Sequence, residues 1–572
     1  MNAHDTAPGR AQPGPGGPLQ RLHRLRRAAL LACLACSAIA LASCGGGAAA
    51  VALVGGVGTG GTGITFGTVV GLGSVIVDGR SYSSATPTYY DASGTTGDQA
   101  TNSQAVELGA RVEVQLGSGQ QPSGLLIQPE LQGAATQITS ASMQVDGVRV
   151  LVNTNPAAGP VTFYSGLTGL TTGTAPLSRS ASNQVEVHGA YGEDASGPYI
   201  FATLVEQLPA SNALTRVTGV VSSVGSQSIR VAGTTIPLGP GTTVITPPGA
   251  TLAAGELVHA WNTAGNWVVR VQALGSFTGA VQVAGVAYAV GSSGFTVSGI
   301  PVDTSSMSAG AQAPQQGDYV VVSGVGNGQG TLLAQSVTVF SASNPAQVDI
   351  RGTITGFVTT SSFQVRGVPI DASAFCSNNT AICGGNRLGN GVYVDIQGQV
   401  AQPDGNVVQA SSVQVAPLEG QTVDLQGTIS SVAGSGQFTL QWTPEQDGVQ
   451  TTSYTEVTIA GNCAFVNGSA SNLTVGAPVE VEGTYQNGSL SAYTLKFLKA
   501  GDAESSGTQD ISGRVYDWNS GASTFMLEGN ALTVPSGVSI PPGFGNGLQV
   551  EVSFTPSGSG ASGTVKSISI DN

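Results

Sequence analysis

An eight-residue pattern, Gly-x-x-Val-x-Val-x-Gly, recurs along the chain and limits what it can fold into. It reads GARVEVQL from Gly109, SNQVEVHG from Ser182, GELVHAWN from Gly255 and GDYVVVSG from Gly317. It returns as GVYVDIQG from Gly391, GAPVEVEG from Gly476 and GLQVEVSF from Gly547. Apolar and polar residues alternate, which is the period of a strand with one buried face. The leading glycine marks a turn into that strand.

Upstream of each copy lies a hairpin with glycine at its tip: VIVDGRSY from Val75, MQVDGVRV from Met143, IRVAGTTI from Ile229, FTVSGIPV from Phe295, FQVRGVPI from Phe363 and FMLEGNAL from Phe525. Two-residue turns of the Asp-Gly kind match the twist of paired strands. The sixth copy, from Phe438, has a longer tip around Asp447 and Gly448. Units open on a Gly-x-Val/Ile strand, as at Gly67, Gly219, Gly352, Gly427 and Gly513, and close on an alternating strand such as Ala410 to Ala416. With five or six strands, a unit can close a small barrel without a long exposed edge. The expected fold class is all-β: tandem small β-barrels, OB-like, arranged as beads on a string. A solenoid is the competing architecture, but solenoid repeats are usually shorter.

The expected division is a signal peptide at 1–43 and a lipidated N-terminus with tether at 44–62. Seven units follow, at 63–132, 133–210, 217–275, 277–341, 348–417, 422–499 and 509–572. The second is the most degenerate. Segments such as Leu208 to Thr218 and Lys499 to Asp510 read as short linkers.

The N-terminal address is RLHRLRRAALLACLACSAIALASC, Arg21 to Cys44. A basic start, an apolar run from Ala28 to Leu41 and small residues make a secretory layout, too short for a good membrane span. Leu41-Ala42-Ser43-Cys44 resembles the bacterial lipobox, which implies cleavage before Cys44 and acyl chains on it. Several chains together anchor a protein stably. Gly45, standing where an Asp would retain the protein at the inner membrane, favours the outer membrane. The Gly/Ala-rich stretch after Cys44 reads as a flexible tether. The long, Pro/Gly-rich start leaves a later initiator open.

Removing five arginines and one aspartate with the leader leaves 14 basic and 32 acidic residues, a net of −18. That charge disfavours nucleic acid as a partner. The expected partners are the membrane, through Cys44, and polysaccharide or envelope proteins.

The repeat unit resembles the bacterial family known as domain of unknown function 5666. The Gly-x-Val/Ile opening, the Phe-x-Val-x-Gly hairpin and the Gly-x-x-Val-x-Val-x-Gly strand carry the likeness, most clearly in units three to six. The resemblance implies small β-barrels in exported proteins and envelope lipoproteins. It supplies no catalytic residue.

Chemistry is sparse. His188 and His259 lie in signature strands, where a lone histidine is more often structural than a base. No nucleophile elbow or HExxH motif appears. GVGTGG at Gly56 matches GxGxxG but sits in the tether, with no helix after it. No catalytic, cofactor-binding or metal-binding residue is assigned. Cys376 and Cys383 flank SNNTAI and can close a disulfide in an oxidising compartment, leaving Cys463 over. A metal site is the other use of such cysteines, but no second CxxC supports it.

Glu480 and Glu482 point to one face, as do Glu445 and Asp447. Paired acids suit glycoside hydrolysis across a cleft, while solvation is the plainer reading of a surface strand. Trp261 and Trp267 bracket the tip NTAGN and offer a sugar-stacking platform; capping a small core is the plainer reading for them, and for Trp442 and Trp518. The expected function is a non-enzymatic envelope scaffold or binding stalk. The alternatives are a polysaccharide-binding array and a glycan hydrolase using the paired acids.

Overall fold

The computed structural model describes residues 62–570, apart from 86, 93–98, 174, 181, 211–213, 264, 308–312, 385–386, 402–405, 435, 447–448, 499–508, 528–529, 546–547 and 557–561. The leader, Cys44, the tether up to residue 61, Asp447, residues 211–213 of the first linker and most of the second therefore lie outside the described residues, as does the side chain of Glu445. No helix among the described residues is long and apolar enough to cross a membrane.

Unit 6 shows the building block. Its strands are Thr422–Gly434, Gln437–Trp442, Ser453–Val466, Pro478–Gln486 and Ser489–Phe497, and they close a barrel. The first strand pairs antiparallel with the second and the fourth, and the second pairs antiparallel with the third. The third runs parallel to the fifth, which returns antiparallel along the fourth. The same ring of pairings closes unit 2, from Leu131–Thr136 to Gly197–Gln207, although its sequence is the most degenerate. It closes unit 4, from Ala280–Tyr288 to Leu332–Val339, and unit 5, from Val348–Thr359 to Val408–Val415. Unit 7 has it too, with its first strand split at Val515 into Gln509–Arg514 and Tyr516–Asn519. In units 1 and 3 a separate segment makes the parallel contact to the last strand: Thr88–Asp91 with Pro122–Ile127, and Thr242–Ile245 with Asn266–Gln272.

Both glycines of the eight-residue pattern have a physical cause. The first turns into the fourth strand at positive φ, 84° at Gly109, 80° at Gly391 and 88° at Gly476, where a Cβ would be strained. The last sits at a β-bulge against the fifth strand, where the register shifts at Gly189, Gly324, Gly398 and Gly483. A Cβ at Gly483 would lie 2.4 Å from the carbonyl oxygen of Ser491. The valines between face the barrel core: Val479 and Val481 are buried among Leu425, Phe438 and Leu495.

The hairpin tips are turns with positive φ at both central residues, as at Asp78-Gly79, Asp146-Gly147 and Arg366-Gly367. The first tip residue folds back over the opening strand. A Cβ on Gly67 would meet Asp78 Oδ2, and one on Gly133 would meet Asp146 Oδ2. The opening glycine and the tip are thus one device.

The barrels follow one another in tandem, but the string is folded onto itself. Gly63–Phe66 of unit 1 pairs parallel with Ala280–Val283 of unit 4, and Gly71–Leu72 pairs parallel with Asp349–Ile350 of unit 5. One apolar cluster joins Val69 and Val114 of unit 1 to Ile354 and Val394 of unit 5, with Phe163 and Leu204 of unit 2. A second joins units 2 and 3. Free beads would leave every outward strand face wet. Here much of that face is buried by a neighbouring barrel.

Candidate functional site

In each fourth strand the residues between and after the valines point away from their own barrel. Of the residues at these positions, Glu113, Glu186, His188, His259, Trp261, Glu482, Glu551 and Ser553 are buried, while Glu480 and Asp395 are half-buried. Glu482 is therefore not on the solvated strand that alternation alone suggests. Buried ionic groups must be paired or neutralised, so these faces carry the chemistry of the molecule.

A cavity of about 250 Å³ lies where units 1, 2, 5, 6 and 7 meet, with Ser103, Arg366, Asp424, Glu480, Lys496 and Glu551 among its lining. Register assembles its unit 6 wall. Asp424 stands opposite Glu482 and Gln426 opposite Glu480; on the other side Glu480 faces Lys496 and Glu482 faces Thr494. Glu482 forms an ion pair with Arg366 of unit 5 and accepts a hydrogen bond from Ser103 Oγ of unit 1 at 2.8 Å. Tyr493 and Tyr89 face the same pair. Lys496 Nζ meets Glu551 Oε1 of unit 7 at 2.9 Å, both side chains buried.

Asp424 and Glu480 are hydrogen-bonded to each other. Burial, then the neighbouring Asp424 charge, pushes the Glu480 carboxyl up to about 8, so it holds a proton at neutral pH. Burial also raises Asp424, against the pull of Arg366. Asp424 Oδ1 and Gln426 Oε1 are buried with no hydrogen-bond partner. The wall thus combines a carboxyl that keeps its proton, one paired with a guanidinium and two unsatisfied oxygen acceptors.

A second cluster lies in unit 2. His188 Nε2 is 3.0 Å from Glu186 Oε1 and 3.5 Å from Glu206 Oε1. It is the one His/Cys/Asp/Glu trio found among the described residues with ligand atoms spaced for a metal ion. The backbone N–H of Arg111 donates to His188 Nδ1 at 3.2 Å. A metal-bound histidine normally donates from its other nitrogen. Here that nitrogen is an acceptor, so the ring proton sits on Nε2 between the carboxylates. Gln132 also donates to Glu186, and burial, with Glu206 nearby, raises the Glu186 carboxyl. The trio fits a proton-linked internal brace rather than a metal centre. His259 is likewise engaged, with Glu130 Oε2 at 3.2 Å and Thr218 Oγ1 at 2.9 Å from Nδ1.

The tryptophans are not platforms. Trp261 is 2 % exposed, with the guanidiniums of Arg216 and Arg270 at 4.6 and 5.2 Å from its ring. Trp267 is 9 % exposed and packs in the core of units 2 and 3. Both faces of the strand pair are covered, one by the unit 3 barrel and one by neighbouring units. Trp442 is a core residue whose Nε1 donates to Thr455 Oγ1, and Trp518 packs edge-on against Phe544. Cys376 and Cys383 form a disulfide, with Cα atoms 5.4 Å apart, across two short helices, Ser373–Cys376 and Thr380–Cys383. Cys463 is a half-buried free thiol, pushed up by burial to about 11.

Sequence reading missed Asp424, Arg366, Lys496 and Glu551. Their signal was scarcity: only 9 % of the chain is charged, yet Asp424, Lys496 and Glu551 sit at strand positions, and Arg366 holds a hairpin tip that other units fill with Asp, Ala, Ser or Glu.

No curated protein matches the chain. Residues 284–338, 351–414 and 426–495 match the profile of one family. These segments cover most of the fourth, fifth and sixth barrels, taking in Gln426 and Glu480 but stopping short of Asp424. Between residues 284 and 495 the chain thus carries three tandem segments similar to the family described as domain of unknown function (DUF5666).

Proposed function

We propose that the chain is a non-enzymatic scaffold of the bacterial cell envelope, held at the outer membrane by lipid on Cys44. The observation that carries this reading is the use made of its polar groups. Arg111 of unit 1 donates to Ala284 O and Ser298 Oγ of unit 4, Arg270 of unit 3 donates to Gln128 of unit 1, and Lys496 bridges units 6 and 7. Histidines, acids and arginines that an enzyme would present to a substrate instead hold barrels together. The N-terminal layout supports the membrane end of the reading, and the acidic balance supports partners other than nucleic acid.

The test is fractionation of cells expressing the full chain and a Cys44→Ser variant. Wild type in the membrane fraction, released by detergent, with the variant soluble, is the expected result. Equal distribution of the two removes the anchor from the reading. External protease then tells a surface scaffold from a periplasmic one.

A second reading has one specific support. In the same cavity burial pushes the Glu480 carboxyl up to about 8 while Glu482 is paired with the Arg366 guanidinium, two acids in the contrasting environments that paired-acid hydrolases use. Release of sugars from a glycan panel, lost in Glu480→Gln, would favour it over the scaffold. The polysaccharide-array reading keeps no aromatic platform, because Trp261 and Trp267 are buried.

A further inference from the structure

We propose that the unit 6 wall of the central cavity binds a hard divalent cation of calcium type, with Asp424, Gln426 and Glu480 as its protein ligands. The proposal is independent of where the chain resides in the cell.

Register supplies the geometry. Asp424 and Gln426 are two apart on one strand and so share a face. Gln426 stands directly opposite Glu480, and Asp424 lies diagonally from it. Directly opposed and diagonal side chains on one face are within mutual reach, and Asp424 and Glu480 do touch, through a hydrogen bond.

Unsatisfied acceptors supply the second argument. Asp424 is 9 % exposed and lines the cavity, yet its Oδ1 accepts no hydrogen bond; the same holds for Gln426 Oε1. A buried acceptor left unmatched is destabilising by about 1–3 kcal/mol. One cation between them satisfies both.

Charge supplies the third. Of the five carboxylates lining the cavity, Glu482 is matched by Arg366 and Glu551 by Lys496, and Glu107 stands on the unit 1 side, away from this wall's strands. Lys496 draws Glu480 toward ionisation but is bridged to Glu551. Asp424 and Glu480 instead face each other, and a proton holds them together. A divalent ion replaces that proton: the Glu480 carboxyl loses H⁺ to solvent as its oxygen bonds the metal. Two carboxylates and 2+ then balance.

The ligand set selects the metal. Carboxylate and amide oxygens are hard donors. The roughly 250 Å³ cavity leaves room for the waters that complete a six- to eight-fold calcium shell. Thiol and imidazole ligands suited to zinc are absent from this wall among the described residues.

The test is titration calorimetry of the full chain, stripped of ions, with calcium chloride at pH 7 in two buffers of different ionisation heat. Binding with release of about one proton per ion is expected, with a higher melting temperature in saturating calcium. Glu480→Gln mimics the protonated carboxyl, so it keeps the fold by circular dichroism while losing proton release and at least about tenfold in affinity. Asp424→Asn loses affinity similarly. No heat and no thermal shift at millimolar calcium overturns the proposal. So does wild-type affinity in both variants, or binding of zinc but not calcium.

Discussion

Glu480 is the residue whose environment departs most usefully from its chemistry in water. Folding raises its pKa from 4.5 to about 8, so between those values the folded chain holds a proton that the unfolded chain has released. Stability then falls as pH rises through that window, by up to about 1.4 kcal/mol per pH unit for one group, and levels off above 8. Other buried acids titrate too, Asp78 among them, raised by burial to about 6. The difference between wild type and Glu480→Gln isolates the term. In chelator, urea denaturation from pH 5 to 8.5 is expected to show the variant gaining on wild type steadily up to about pH 8. Parallel profiles would show that Glu480 is ionised in the fold. The ion pair beside it predicts the opposite kind of loss. Arg366→Ala leaves Glu482 buried without its cation, which costs about 3–5 kcal/mol. Adding Glu482→Gln is expected to recover much of that in the same assay, because no unpaired charge then remains.

At the scale of the strand, the last glycine of the eight-residue pattern and the glycine of the tip after it make separable predictions. Gly483→Ala pushes a Cβ to 2.4 Å from the Ser491 carbonyl oxygen at the bulge, against backbone that cannot swing away. Gly488→Ala, at φ 75° in the tip that follows, meets nothing within 4 Å and bears only the left-handed penalty, about 1–2 kcal/mol. Chemical denaturation should therefore rank Gly483→Ala well below Gly488→Ala. Equal losses would mean that the bulge relaxes and the glycine is there for conformation alone. This element was legible in the sequence because alternation and glycine spacing are local signals. So was the hairpin, through its Xaa-Gly tips. What the strand's outward face touches is not local. Glu482 and His188 occupy positions that read as wet on a lone barrel, yet Glu482 meets Ser103 of unit 1, 379 residues away, and His188 meets Arg111 of unit 1, 77 residues away. No period or spacing encodes that distance.

At the scale of the molecule, the question is whether seven similar barrels behave as seven domains. Unit 1 argues that at least five do not. It shares strand pairing with units 4 and 5, and its Arg111 reaches unit 4 by the guanidinium and unit 2 by the backbone. Arg216 and Arg270 of unit 3 donate to Ala92 and Gln128 of unit 1 while covering Trp261. Opening any one of these barrels exposes apolar and ionic surface on at least one other, so their unfolding free energies are not independent. Calorimetry of the full chain is expected to give one cooperative transition for units 1 to 5, with a calorimetric enthalpy close to its van't Hoff value. Trp261→Ala removes the ring between two buried guanidiniums. It should lower that shared transition by several degrees and leave a separate unit 7 transition in place, since the unit 7 core is its own. Seven overlapping transitions, with Trp261→Ala moving one alone, would restore the picture of independent beads. Repetition in a sequence announces the module, but the rare charges on the outward faces decide whether the modules act singly or as a body.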